Sequence, residues 1–145
     1  MNDALLYDTV EGVLKKTANQ LIVEQDTQDK QVKLILNAIH RQYTQQDCSL
    51  DTLSSSLHIS SRQITRILKE TTGRTFKDYL LEARMKEACR LLQETELPVG
   101  DIMEACGYVS ASQFFKRFSE FTGKTPSAYR KDYWLEQLEK HNLNR

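Results

Sequence analysis

Two short stretches of the sequence, fifty residues apart, carry cationic and hydroxyl side chains at helical spacing. In the first stretch, five such residues recur at intervals of one, three and four and so share one helix face: Ser61, Arg62, Thr65, Arg66 and Lys69. Residues 60–74 hold four basic residues against one acidic residue. An arginine can bind O6 and N7 of guanine together, and a threonine can contact a base edge or a thymine methyl group. This face therefore has side chains suited to contacting DNA bases.

The second stretch, "SASQFFKRF" at residues 110–118, places two adjacent phenylalanines beside two adjacent cations. A helix turns about 100° per residue, so Phe114 and Phe115 cannot both face one core. Alignment with the first stretch puts Phe114 at the core position of Ile64. The outward face then consists of Ala111, Ser112, Phe115, Lys116 and Ser119. Two explanations of Phe115 stay open, namely contact with a thymine methyl group and partial packing against a neighbouring helix.

Other kinds of chemical site find no support in the sequence. The segment "TGKTPS" (122–127) is similar to the end of a phosphate-binding loop, but Phe118 stands where that motif requires its first glycine. No serine or cysteine nucleophile has an identifiable base. The histidines and cysteines lack the spacing of zinc ligands: His40, His58, His141, Cys48, Cys89 and Cys106. The sequence thus predicts no enzyme activity, no metal and no cofactor, and it places Cys89 and Cys106 on apolar helix faces as core residues.

The two stretches belong to a tandem duplication. Residues 53–79 align with residues 102–129 at an offset of 50 from Ile64 and Phe114 onward, and the second copy has one extra residue upstream. Each copy has two apolar helical segments joined by a tight turn, at His58-Ile59 and at Gly107-Tyr108. This pattern predicts two helix-turn-helix units, in which the second helix of each can lie in the major groove of DNA.

Local signals set the limits of these helices. Ser60-x-x-Gln63 and Ser110-x-x-Gln113 are predicted capping boxes. Gly73 and Gly123 are predicted left-handed helix stops, and the proline of Thr125-Pro126 favours the start of another helix. The predicted buried residues of the two units are Leu50, Leu53, Leu57, Ile64, Ile67, Leu68, Thr71, Ile102, Ala105, Cys106, Phe114, Phe118 and Phe121.

The remaining segments also read as helical, so the predicted fold is all-α with homeodomain-like subdomains. Residues 4–23 form an extra N-terminal helix with a heptad-like seam at Tyr7, Val10, Leu14, Thr17 and Leu21. The polar residues 24–31 are predicted to form a hinge, and a helix around 30–43 buries Val32, Ile35, Leu36 and Ile39. Five segments are predicted along the chain. Residues 1–29 are a linker or dimerisation helix, or the remnant of an upstream sensor domain; residues 30–74 are the first subdomain; residues 75–95 are the connecting helix; residues 96–132 are the second subdomain; and residues 133–145 are a tail. The connecting helix offers Phe76, Leu80, Ala83, Ala88, Leu91 and Leu92 for packing.

The composition is that of a globular protein with uneven charge. The 145 residues have no net charge, but residues 1–29 hold six acidic residues against two basic ones. Residues 30–132 hold sixteen basic residues against twelve acidic ones, so the two parts have opposite sign. No apolar run approaches the length of a membrane span, and three cysteines without a CxxC pair favour reduced thiols in a cytoplasm.

The duplicated segments resemble a known family. "DIMEACGYVSASQFFKRFSEFTGKTPSAYR" (101–130) is similar to the C-terminal signature of AraC/XylS-type transcription regulators. "TLSSSLHISSRQITRILKETTGRTFKDYL" is similar to the first helix-turn-helix motif of that family. The resemblance covers about residues 30–131. It departs at His58, where the family often has glycine, and at Met103, where the family usually has alanine.

The resemblance implies binding to successive major grooves on one face of double-stranded DNA, in the bacterial cytoplasm at the nucleoid. The implied base-reading residues are Arg62, Thr65, Arg66, Ala111, Ser112, Phe115 and Lys116. Hydroxyl groups, helix N-termini and nearby cations are expected to hold phosphates: Ser60, Ser61, Lys69, Arg74, Ser110, Arg117 and Lys124. Ala111 and Phe115 offer no hydrogen bonds, so the second motif is expected to contact fewer bases through polar groups.

Two questions stay open at the level of sequence. Residues 4–23 have three interpretations: a homodimerising helix, the last helix of an upstream sensor domain, or a helix covering the first subdomain. The family resemblance favours the first two, and the short chain with its abrupt start suggests a fragment of a longer protein. The alternative function, favoured by the zero net charge, is a protein-interaction module that binds a partner such as RNA polymerase.

Overall fold

A computed structural model describes residues 27–143 of the chain. Within these residues every regular secondary-structure element is a helix, which confirms the predicted all-α class. Helix α1 covers residues 27–42 of the described range. The later helices are α2 (Leu50–Leu57), α3 (Ser61–Thr72), α4 (Phe76–Glu94), α5 (Val99–Ala105), α6 (Ala111–Thr122) and α7 (Pro126–Leu143).

The ends of the helices follow local side-chain chemistry. The Ser60 and Ser110 hydroxyls accept hydrogen bonds from the backbone N–H groups of Gln63 and Gln113, at 3.2 and 3.3 Å. These bonds are the serine half of each predicted capping box. Both halves of a capping box are instead present at the N-termini of α2 and α4, between Ser49 and Thr52 and between Thr75 and Asp78.

Left-handed residues stop the helices where the sequence predicts a turn. Gly73 and Gly123 end α3 and α6 at φ values of 75° and 78°. His58 ends α2 at φ 57°, a conformation that costs an L-residue about 1–2 kcal/mol. This backbone angle explains why glycine suits the position.

The one-residue difference between the two copies lies in the turn. Left-handed His58 precedes buried Ile59 in the first copy, and left-handed Gly107 precedes buried Tyr108 in the second. The second turn then adds Val109, which is 72% exposed, before the capping Ser110. The added residue therefore leaves both the preceding and the following helix in the same relation to their core.

Two hydrophobic clusters form the core, and α4 contributes to both. The first contains Val32, Ile35, Ala38, Ile39, Cys48, Leu53, Ile59, Ile64, Ile67, Leu68 and Phe76. The second contains Met85, Ala88, Leu91, Leu92, Ile102, Cys106, Tyr108, Phe114 and Phe118. The first cluster includes the buried residues of α2 and α3, and the second includes those of α5 and α6.

Helix α7 packs against the end of α4. The Arg130 guanidinium donates hydrogen bonds to the carbonyl oxygens of Leu92, Thr95 and Leu97, at 3.2, 3.2 and 2.7 Å. The Trp134 Nε1–H donates to the Gln93 carbonyl at 3.1 Å. The carbonyls of Leu92 and Gln93 lie in the last turn of α4, where carbonyls lack a partner inside the helix. Helix α7 runs on to Leu143, through part of the segment predicted as a tail.

Several predicted burials are wrong. Thr71 is exposed, and its counterpart Phe121 is 43% exposed, because both lie in the last turn of their helices, outside the two core clusters. Ala105 is exposed because the inward face of the short α5 is defined by Ile102 and the following Cys106. Leu50 and Leu57 are only partly buried.

The predicted hinge at 24–31 is also wrong where the structure describes it. Residues 27–31 are the beginning of the described part of α1. This segment contains no proline or glycine, and its polar side chains can extend a helix into solvent ahead of the buried face that begins at Val32. The predicted seam at 4–23 lies outside the described residues.

Candidate nucleic-acid interface

Helix α3 separates an apolar inner face from a cationic outer face. Ile64, Ile67 and Leu68 have no solvent exposure, whereas Arg62, Thr65, Arg66 and Lys69 are exposed. The outer residues border an open depression of about 690 Å³, which is lined by Ser60, Arg62, Gln63, Thr65, Arg66, Lys69 and Glu70. The structure thus brings the predicted base-reading residues of the first motif onto one surface.

The hydrogen bonds on this face leave the arginines available. The Thr65 hydroxyl donates a hydrogen bond to the Ser61 carbonyl at 2.9 Å, within α3 itself. The Lys69 ammonium donates to the Gly73 carbonyl at 3.2 Å, at the C-terminus of α3. The Ser61 hydroxyl donates to the Asp51 carboxylate at 3.3 Å, so Ser61 is tied to α2.

Helix α6 has the same division with different chemistry. Phe114 and Phe118 have no solvent exposure, and the opposite residues Ala111, Ser112 and Lys116 are exposed. The Ser110 and Ser112 hydroxyls lie 3.1 Å apart at the N-terminus of the helix. The outer face of α6 has one cation, Lys116, and the hydroxyls of Ser112 and Ser119, so it has fewer polar groups than the outer face of α3.

Phe115 lies on the outer face of α6. Its side chain is 44% exposed, and its ring centroid lies 5.9 Å from that of the buried Phe114. The prediction that the two phenylalanines have different surroundings is confirmed. An exposed ring beside Lys116 leaves an apolar surface on the face predicted to contact DNA.

Three of the four predicted phosphate-binding cations form ion pairs within the protein, namely Arg74, Arg117 and Lys124. Arg117 pairs with Glu120 at 3.3 Å, and Lys124 pairs with Asp132 at 3.0 Å. All four of these side chains are about half exposed. Exposed pairs of this kind contribute only about 0–1 kcal/mol, so a phosphate can replace either carboxylate at little cost.

Arg74 is held more firmly than the other cations. Its guanidinium pairs with Glu82 and lies 4.4 Å from the centroid of the Tyr79 ring. The hydrogen bond that Arg74 donates to the Glu82 carboxylate raises the pKa of Arg74, and the hydrogen bonds that Glu82 accepts from Lys86 and Arg74 lower the pKa of Glu82. A phosphate contact through Arg74 would therefore have to compete with an ion pair and a stacked ring.

Between residues 27 and 143, no three His, Cys, Asp or Glu side chains come together as ligands for a metal ion. Burial raises the pKa of the Cys106 thiol to about 12, which keeps it protonated near neutral pH. The helices in this range are too short or too polar to cross a membrane.

Comparison with known proteins agrees with this geometry. Residues 53–132, more than half of the chain, match the family model described as a helix-turn-helix domain. The chain belongs to the AraC-type helix-turn-helix family. The C-terminal domain of AraT, a response regulator from Geobacillus stearothermophilus, is 31% identical and superposes with a TM-score of 0.67. That match covers 70% of this chain and 84% of the AraT domain.

Two further proteins are similar to this chain. The Msm operon regulatory protein of Streptococcus mutans serotype c is 26% identical over 128 residues, covering 88% of this chain and 46% of that protein. The DNA-binding domain of AdpA, a global transcriptional factor solved in complex with a target DNA, has the same fold at 24% identity and a TM-score of 0.65. That match covers 70% of this chain and 91% of the AdpA domain. The chain spans about half the length, or less, of the curated relatives it matches.

Proposed function

We propose that this AraC-type chain binds a specific double-stranded DNA site with α3 and α6 in two successive major grooves, and thereby regulates transcription. The observation that carries the proposal is the repeated division of these helices into a buried face and an exposed face of suitable side chains. Both helices follow a tight turn and a capping serine, and each is the second helix of its pair, the one that lies in the major groove in helix-turn-helix proteins.

In this proposal, Arg66 and Lys116 are the principal base-reading residues, and they occupy equivalent positions in the two copies. Arg62, Thr65 and Ser112 contact neighbouring base edges, and Ala111 and Phe115 offer apolar contact to thymine methyl groups. Phosphates are held by the helix N-termini and nearby side chains: Ser60, Ser61, Lys69, Arg74, Ser110, Arg117 and Lys124. The described residues have no catalytic role in this proposal.

The wider setting follows from the same proposal. A transcription regulator with buried or partly buried free thiols suits the bacterial cytoplasm, and we place its action at the nucleoid. The homodimer through residues 4–23 and the contact with RNA polymerase stay predictions. The division into the subdomains 30–74 and 96–132 also stays a prediction, and the two separate core clusters support it.

Replacing Arg66 with alanine tests the proposal. Arg66→Ala should lose about 1–3 kcal/mol of binding free energy on a duplex selected by the wild-type protein and relax one base position. Fluorescence anisotropy measures the binding free energy of each protein on the selected duplex and on a scrambled duplex. Arg90→Ala is the control, because Arg90 is also an exposed arginine but lies on α4, where it pairs with Glu87 and Glu94. An equal loss on both duplexes would show that Arg66 contacts phosphate and reads no base.

A further inference from the structure

Helix α4 contains a buried arginine at the junction between the two core clusters. Arg84 is 9% exposed, and it is the one buried charged side chain among residues 27–143. One turn before Arg84 along α4, Leu80 packs against the first cluster, and one turn after it, Ala88 belongs to the second. A buried charge is costly unless hydrogen bonds replace its contact with water. The contacts of Arg84 therefore need an explanation.

On one side, Arg84 binds the loop between α1 and α2. Its Nε donates a hydrogen bond to the Tyr43 carbonyl, and its Nη2 donates one to the Gln45 carbonyl, each at 2.8 Å. Hydrogen bonds from a charged donor are stronger than those between neutral groups. The guanidinium is thus fixed to the backbone of the first helix-turn-helix unit.

On the other side, Arg84 faces the turn before α6. Its guanidinium carbon lies 5.2 Å from the centroid of the Tyr108 ring. The Tyr108 ring in turn packs against Phe114, the buried residue in the first turn of α6, with centroids 5.4 Å apart. One side chain therefore connects the loop of the first unit to the ring that supports the second recognition helix.

Gly107 brings the two units into direct backbone contact at the same place. A Cβ atom on Gly107 would lie 3.0 Å from the carbonyl oxygens of Tyr43 and Thr44 and 3.1 Å from Arg84 Nη2. Gly123 has a similar φ, 78° against 88°, but a Cβ there would meet nothing within 4 Å. The close approach at Gly107 is thus a property of the contact between units, separate from the demands of its turn.

We propose that Arg84 and Gly107 form an inter-unit clamp that sets the distance and angle between the recognition helices. Two units joined along one helix retain freedom to twist about it, and a second connection away from its axis removes that freedom. Arg84 is then a positioning residue, and the clamp selects DNA with one spacing between half-sites. The inference rests on the proposed function, in which α3 and α6 each contact one half-site.

The spacing preference of the protein tests the clamp. The probe is a duplex selected from random DNA by the wild-type protein, with one base pair inserted or deleted between its half-sites. This change moves one half-site by about 3.4 Å along the axis. The wild type should bind the altered duplex roughly tenfold or more weakly, the usual cost of a lost base contact. Arg84→Met should bind both duplexes with nearly equal affinity, because its two units no longer hold one spacing.

Two controls separate positioning from stability. Lys86→Met removes one positive charge from the same helix, where Lys86 pairs with Glu82, and should keep the wild-type ratio of affinities. Gly107→Ala should shift the preferred spacing, whereas Gly123→Ala introduces similar backbone strain without the inter-unit contact and should keep it. Circular dichroism checks that each variant is folded, and the glycine pair decides the matter if Arg84→Met does not fold.

The outcomes distinguish the clamp from the proposed function. A folded Arg84→Met protein with the wild-type ratio, or equal effects of Gly107→Ala and Gly123→Ala, would overturn the clamp. A wild-type protein that tolerates the altered spacing would overturn the clamp alone, since specific binding would persist. A wild-type protein that selects no duplex at all would overturn the proposed function, and the clamp with it.

Discussion

The affinity of the protein for its selected duplex is expected to fall on the order of a thousandfold between 50 and 200 mM salt, for about six phosphate contacts. Each cation that neutralises a phosphate releases a counterion from the DNA, and dissolved salt opposes this release. The cations available on or near the two outer faces are Arg62, Arg66, Lys69, Arg74, Lys116, Arg117 and Lys124. The zero net charge of the chain does not weaken this expectation, because the 30–132 segment carries the excess of basic residues.

The slope of this salt dependence can be assigned to individual residues. Lys124→Ala should reduce the slope of log affinity against log salt by about one, because one phosphate contact is lost. Lys140→Ala is the control, since Lys140 is an exposed lysine on α7 outside the predicted contacts. Anisotropy titrations at four or five salt concentrations give both slopes. A flat response of the wild type would contradict DNA binding and favour the alternative of a protein-interaction module.

The adjacent phenylalanines of α6 should respond very differently to truncation. Phe114→Ala is expected to lower the free energy of unfolding by about 3–5 kcal/mol, because it removes a fully buried ring from contact with Tyr108 and Phe118. Phe115→Ala should change the free energy of unfolding by about 1 kcal/mol or less, because the ring is 44% exposed. Urea denaturation followed by circular dichroism measures both.

The two variants serve as controls for each other, since they remove the same side chain from neighbouring positions. Phe115→Ala should also relax a thymine position in the selected DNA site if the ring contacts a methyl group. Unchanged site preference together with a loss of stability close to that of Phe114→Ala would show that Phe115 packs against the protein and does not contact DNA.

Features set by short-range interactions could be predicted from the sequence. The left-handed angles at Gly73 and Gly123 and the serine caps of α3 and α6 depend on residues within one turn. Helical periodicity predicts that Phe114 and Phe115 lie on different faces of α6. The tandem duplication then predicts that Phe114 is the buried one, because it aligns with Ile64.

Features that depend on how far a core cluster extends could not be predicted. Phe121 shares the periodicity of Phe114 and Phe118 but lies in the last turn of α6, outside the second core cluster. The reciprocal capping boxes at the starts of α2 and α4 use Thr52 and Asp78 in place of the Glu or Gln of the usual capping-box pattern, so that pattern does not predict them.

The contacts between the two units were also missed. Arg84 stands between apolar residues on the packing face of α4, four residues after Leu80 and four before Ala88. A charged residue on this otherwise apolar face is the signal in the sequence that could have indicated a buried polar contact. Its partners are backbone carbonyls about forty residues away, at Tyr43 and Gln45, and no local pattern identifies such acceptors.

Selection of binding sites from random DNA by the wild type, Arg66→Ala and Lys116→Ala tests the central claim most directly. The claim predicts a site with two half-sites whose centres lie about 10 base pairs apart, one helical turn. It further predicts that Arg66→Ala relaxes a base position in one half-site and that Lys116→Ala relaxes a position in the other. If the wild type enriches no sequence, or if both variants relax the same half-site, then α3 and α6 do not read successive major grooves.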